Sequence, residues 1–320
     1  MPAVFDALPG VAVPVGDISD GFAKLWADTP AKESRAVQLN LVLHFGRNTT
    51  PEDALEQFGH TRLFAQRYPC RVVVLCPDYD AAAPAEIRAK IYGECFLGKS
   101  PGDMRCVEFV LLHYTMAARC HLENQVSVCL SSDMPLYYWA HRFADVRRLA
   151  DYDYLLTRSK RIMFDSAVVP EDTFTYPWPN LSAVRDLAYT RTLPMRQNLG
   201  QFLSRYTPAL INTGLKQVTI RHRQQFGAEA ACLLGWVKKG LVRSGADTAA
   251  IAFEVTPVDC PGCFSLVFGY VDPKKTFSWV ADLSKDHADF AGDLGTGRTT
   301  LVAGAHFMAP ELALSEAMFF

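Results

Sequence analysis

Cys260-Pro-Gly-Cys263 is the place in this chain where two reactive side chains stand at a spacing known for chemistry. In a reducing compartment a C-x-x-C pair works as a thiol–disulfide couple or supplies half of a zinc site. Zinc needs two more ligands, and the chain has neither a second C-x-x-C nor an H-x3–5-H, so His287 and His306 would contribute only through the fold. A thioredoxin-like pair opens a helix after a strand. Here Pro257 and the strand-like run Phe264–Val271 place the pair in a turn between strands, which leaves two readings: a structural turn with incidental thiols, or a regulatory dithiol. Other matches are weaker. His121-Leu-Glu123 has the H-x-E of zinc deaminases, but Asp259 rather than proline precedes Cys260 and the halves lie far apart, so the match is chance. The turn Gly292–Arg298 lacks the G-K-[ST] of a phosphate loop, and neither G-x-G-x-x-G nor G-x-S-x-G occurs. No catalytic constellation, resident metal or cofactor is expected.

The second feature is a charge out of place. Residues 186–196 read Asp186-Leu-Ala-Tyr-Thr-Arg191-Thr-Leu-Pro194-Met-Arg196. If Val184, Leu187 and Ala188 form one helical face at i, i+3 and i+4, the next position on that face is Arg191. A guanidinium on a core face is costly unless a carboxylate or a set of carbonyls meets it. One reading is a clamp onto a strand-end carboxylate, Asp165 first and Asp133 second; the other is a cap on the last helical turn. Arg196, beyond the proline, is expected on the surface.

The same segment carries a resemblance. D-L-x-[YW]-x-R-x-x-P-x-R resembles the signature of the OpcA family, assembly and activator proteins of glucose-6-phosphate dehydrogenase. Further segments agree in order: S-R-A-V-Q-L-N-L-V at 34–42, Y-P-C-R-V-V-V-L at 68–75, R-C-V-E-F at 105–109, D-M-P-L-Y-Y-W at 133–139, R-I-M-F-D-S-A at 161–167 and A-A-C-L-L-G-W-V at 230–237. The resemblance spans residues 34 to 256. Ala140 follows Trp139 where the family tends to a doubled tryptophan, and Tyr189 and Met195 stand where it tends to tryptophans, the pattern of a divergent member. The resemblance implies a non-catalytic allosteric activator that binds glucose-6-phosphate dehydrogenase in the oxidative pentose phosphate pathway, with Trp139, Asp165, Asp186, Arg191, Pro194 and Arg196 as motif-based partner-binding residues. It also keeps the redox reading of Cys260 and Cys263 alive, since some members are described as redox-responsive. The alternatives are a sugar-phosphate sensor using Arg191, Arg196 or Arg221-His222-Arg223, and a thiol-redox protein.

Composition and periodicity give the scaffold for these residues. At 320 residues the length prior is about two domains. A 49% apolar and 21% charged composition is that of a globular chain, and a net charge of −2 gives no basic field for nucleic acid or anionic membrane. No run reaches the roughly 18 apolar residues of a spanning helix, and no cationic residue precedes Lys24, so a cytoplasmic protein without a secretory signal is expected. The nine cysteines then read as buried free thiols. Strands are expected at 38–45, 71–76, 88–97, 105–114, 136–140 and 161–166. A helix capped by Thr50 and started by Pro51 lies between the first two, and further helices are expected at 115–130 and 143–158. The alternation predicts an α/β protein of two parts with mixed sheets. We place an arm or a short capping segment at 1–30, an N-terminal α/β domain at 31–168, a proline-rich linker at 169–181 and a C-terminal α/β domain at 182–320. Two helices should meet at Pro194, the first ending near Thr192. The last third repeats the order β-α-β-β-β of residues 38–114, the order a structural duplication would leave, although no residue-level similarity accompanies it.

Overall fold

The fold is that of a computed structural model, described over residues 3–27, 37–97 and 104–320. The chain forms two compact units: Met1–Leu187 with Pro310–Phe320, and Ala188–Ala309.

The first unit runs α1 (Val4–Ala7), β1 (Val11–Val13), α2 (Ile18–Leu25), β2 (Leu39–Phe45), α3 (Pro51–Arg67), β3 (Cys70–Asp78), β4 (Ile87–Leu97), β5 (Met104–Thr115), α4 (Leu122–Cys129), β6 (Leu136–His141), α5 (Asp153–Arg158), β7 (Arg161–Phe164) and β8 (Val184–Asp186). Its sheet has the order β1-β4-β5-β3-β2-β6-β7-β8. The six strands from β5 to β8 are mutually parallel, while β4 runs antiparallel to β5 and β1 to β4. The continuous apolar runs of β2 and β3 reflect cover on both faces. Phe58 and Phe64 of α3 pack one face with Leu41, Leu43, Val72 and Val74. Phe22 of α2, Val126 of α4 and Leu155 of α5 pack the other with Val42, Val73 and Val110. Thr50 caps α3 by accepting from the Asp53 N–H, as its sequence predicts.

Three expectations are corrected here. The N-terminal segment is part of the first unit's sheet and core rather than an arm or a mere cap: β1 pairs with β4 and Phe5, Phe22 and Trp26 are core residues, while the boundary expected at 30–31 lies outside the described residues, as do residues 34–36 of the first family segment. The expected linker is packed structure. Trp178 is buried, stacks on Phe164 at 6.1 Å and donates from Nε1 to the Thr173 carbonyl, so its aromatics outweigh its prolines; β8 then joins the sheet beside β7. The segments 115–130 and 143–158 each open as a 3-10 helix and become α-helical only in α4 and α5.

The second unit begins within α6 (Leu187–Arg191) and continues as α7 (Leu193–Leu203), α8 (Pro208–Asn212), β9 (Leu215–Arg223), α9 (Gly227–Arg243), β10 (Ala252–Val258), β11 (Cys263–Tyr270), β12 (Thr276–Asp282), β13 (His287–Asp293) and β14 (Thr299–Ala303). The last helix, α10 (Pro310–Phe319), returns to the first unit, where Leu314 and Met318 enter its core. The second sheet has the order β10-β9-β11-β12-β13-β14, with β9 and β10 parallel and the other pairs antiparallel. Its alternating strands bury Val218, Ile220, Leu266 and Trp279 against Leu199 and Phe202 of α7 and Leu233 and Val237 of α9. Both units start with a parallel strand–helix–strand, but β5 joins the second strand of the first unit and β11 joins the first strand of the second. The shared order of elements is therefore no duplication of topology.

Candidate functional site

In the 186–196 segment, Val184, Arg185 and Asp186 are strand, and helix begins only at Leu187. The face that led to Arg191 is thus two residues long, Leu187 and Ala188, both buried. Arg191 still points inward, and a carboxylate meets it. A carboxylate that sequence reasoning did not name is among its partners: Arg191 Nε donates to Glu229 Oε1 at 2.6 Å, and Glu229, in the first turn of α9, is only 4% exposed. The Arg191 carbonyl accepts from the Met308 N–H, tying α6 to the segment after β14. Asp186 accepts from the backbone N–H and hydroxyl of Ser166 at 3.0 and 2.8 Å, and Asp165 accepts from the Ala167 N–H, so these carboxylates order the turn after β7.

Pro194 occupies the first turn of α7, where a missing N–H costs nothing. Across that break Arg196 folds back. Its guanidinium stacks 3.8 Å from the Tyr189 ring centroid, Nη1 donates to the Tyr189 hydroxyl at 2.7 Å and Nε donates to the Thr192 hydroxyl. Tyr189 is 39% exposed, so the cation and its ring form a preset surface feature. Trp139 does not: β6 lies between β2 and β7, and Trp139 is buried among Leu43 and Met163. Core packing is its role.

The pair Cys260 and Cys263 is a disulfide in the turn from β10 to β11, with Cα atoms 5.5 Å apart. Gly262 at φ +73 makes the turn, where a Cβ would press on the Asp282 carboxylate. A second disulfide overturns the free-thiol reading: Cys95 and Cys106 face each other across the β4–β5 ladder and are bonded. Cys70, Cys76 and Cys129 are buried thiols, as expected. In the basic run, Arg221 and Arg223 are exposed and His222 is buried, donating through Nδ1 to the Arg223 carbonyl. Among the described residues no cluster of three or more His, Cys, Asp or Glu side chains suits a metal ion.

Sequence reasoning missed a polar layer at the carboxyl ends of the parallel strands. Asp53 in α3 accepts from His141 Nε2 at 2.8 Å and lies 2.6 Å from Arg142 Nε. Burial would raise its pKa, but the His141 hydrogen bond and the His141 and Arg142 charges outweigh it and hold the carboxyl below its ordinary value. Arg142 adopts φ +52, and Gly46 stands so close that a Cβ would overlap the Arg142 carbonyl. Deeper, His44 bridges the Tyr138 and Tyr114 hydroxyls at 2.9 and 2.7 Å, and Tyr114 contacts the Tyr152 hydroxyl at 2.7 Å. Burial depresses the His44 pKa to about 3, so the ring is neutral, donor to one phenol and acceptor from the other. The sequence signal was the capped start of α3, which places Asp53 at a strand end; the aromatic partners come from three other strands or turns.

Comparison with known proteins bears on the first sheet. Residues 61–177 match the family described as glucose-6-phosphate dehydrogenase subunit N-terminal domain. A curated relative from Synechocystis sp. (strain ATCC 27184 / PCC 6803 / Kazusa), the putative OxPP cycle protein OpcA, is 23% identical over 214 residues. That alignment covers 63% of this chain and 43% of the relative. Both are similarities to OpcA-type proteins. The OpcA-type match covers β3 to β7, whereas Arg191, Arg196, Cys260 and Cys263 lie beyond it.

Proposed function

We propose that this protein is a non-catalytic allosteric activator and assembly factor that binds glucose-6-phosphate dehydrogenase in the cytoplasm and promotes its active form. One observation carries the reading: the match of residues 61–177 to a family described by that enzyme's name. The name of the cyanobacterial relative supports a place in the oxidative pentose phosphate cycle. The Arg196–Tyr189 stack is the part of the arginine motif available to a partner, with Thr192 and Pro194 fixing the turn beneath it. Activation requires tighter binding to the active enzyme conformation than to the inactive one, by the factor that the shift in population demands. Among the described residues no helix is long and apolar enough to cross a membrane.

The test is a kinetic titration of glucose-6-phosphate dehydrogenase from the same organism with the purified protein, following NADPH formation against glucose 6-phosphate concentration. A saturable fall in KM or rise in rate, with co-elution of the two proteins, is the expected result. No kinetic change and no co-elution would overturn the reading. The bonded Cys260–Cys263 turn favours a second reading, thiol control of the contact, which a reductant arm of the same titration tests.

A further inference from the structure

The first sheet changes direction between β2 and β6. From β2 the chain crosses through α3 on one face to β3, and β6 is reached through α4 on the other face. In open α/β sheets this switch point opens a crevice beyond the carboxyl ends of the strands, where ligands bind. Here a cavity of about 550 Å³ occupies that place. Four adjacent parallel strands feed it from their carboxyl ends: Arg47 after β2, Tyr79 after β3, Met116 after β5, and Phe143 and Arg148 after β6.

The wall chemistry is specific. Arg47 and Arg148 are exposed, and among the described residues neither has an ion pair. The Arg47 guanidinium lies 5.9 Å from the Tyr79 ring centroid. Burial raises the Tyr79 pKa while the Arg148 and Arg47 charges pull it down, which places both cations near one hydroxyl. Beneath, Phe143 packs edge-on to His44 at 4.9 Å, and the neutral His44 and its tyrosines present no negative charge. One carboxylate lines the cavity, Asp145, and it accepts the Arg147 N–H. Two unpaired guanidiniums over a neutral aromatic floor suit a dianion with an organic body: the fork geometry takes phosphate oxygens, and a cavity this size exceeds a lone phosphate.

We propose that this crevice binds a small organic phosphate monoester, its phosphate held between Arg47 and Arg148 and its body against Tyr79 and Phe143. The site stands apart from the partner reading, which could fail without it.

Calorimetric titration of the whole protein with glucose 6-phosphate, adenosine monophosphate, inorganic phosphate and glucose tests it. At least one organic phosphate should bind with a tighter Kd than inorganic phosphate, and glucose should not bind. Arg47→Gln and Arg148→Gln should each weaken that Kd by about tenfold, and the double variant should show no binding with unchanged thermal melting. Either organic phosphate binding identifies the class, and which one binds names the body. No binding of either organic phosphate at millimolar concentration, binding of glucose equal to that of its phosphate, inorganic phosphate binding as tightly as the esters, or full binding by the double variant would each overturn the proposal.

Discussion

Arg191 Nε meets Glu229 Oε1 at 2.6 Å, joining α6 to the first turn of α9 across 38 residues of sequence. The geometry makes this a half-buried ion pair whose acid is nearly inaccessible, with side-chain exposures of 20% and 5%. Such a pair is weak evidence of net stability but is costly to break from one side, because the remaining charge stays buried.

Arg191→Ala should therefore destabilise the second unit by about 3 kcal/mol, the lower end for a broken buried pair given the partial exposure of the arginine. Arg191→Ala with Glu229→Leu should recover part of that loss, since the Glu229 charge is no longer left buried. Urea denaturation of the three proteins decides it. An Arg191→Ala midpoint equal to that of the parent would remove the pair from any structural role.

What was readable at the start divides by range. The Thr50–Pro51–Asp53 start of α3 and the apolar runs of β2, β3 and β5 are local signals, and local chemistry decided them. Arg191 was readable as a cation needing a partner, but Glu229, one carboxylate that answers it, sits on a helix whose docking no local pattern encodes. The same limit explains Cys95 and Cys106, whose bond follows from β4–β5 register, and Trp139, whose fate depended on β7 pairing outside β6. The proline count of 169–181 misled because Tyr176 and Trp178 there found a core to pack on.

Arg196 is expected to matter for binding and little for folding. Its stack on Tyr189 is exposed, so Arg196→Ala should cost about 1 kcal/mol or less. On the partner reading it should weaken the complex with glucose-6-phosphate dehydrogenase by about tenfold or more, as a central arginine anchor does. Surface plasmon resonance on the two proteins measures this directly. A Kd within twofold of the parent would take Arg196 off the contact surface.

His44 makes stability depend on pH with a defined sign. Its folded pKa of about 3 lies below the ordinary histidine value of ~6.5, so between those values the unfolded chain binds the extra proton. The contribution is intact above pH ~6.5 and is lost as pH falls, at about 1.4 kcal/mol per unit, or about 2 kcal/mol by pH 5. The His44 ring resonances should show no titration between pH 8 and 5, and His44→Gln should lack that part of the stability slope. A ring that titrates near pH 6.5 would contradict the neutral bridge between Tyr138 and Tyr114.

The thiols should sort by burial. Cys120 is exposed and should react with Ellman's reagent in the native protein. Cys70 and Cys76 are buried, and burial pushes both pKa values up, so each should stay silent until the chain unfolds. Cys95 and Cys106 should be protected as a disulfide without reductant. Their bond closes a short loop, with a sequence separation of 11, and replacing both by Ala should cost about 2–3 kcal/mol under non-reducing conditions and far less in reductant. Peptide mapping of labelled protein distinguishes every position. Labelling of Cys95 or Cys106 in the non-reduced native protein would show the β4–β5 bond is not formed, and equal stability of the double variant in both conditions would show it does not hold β4 to β5.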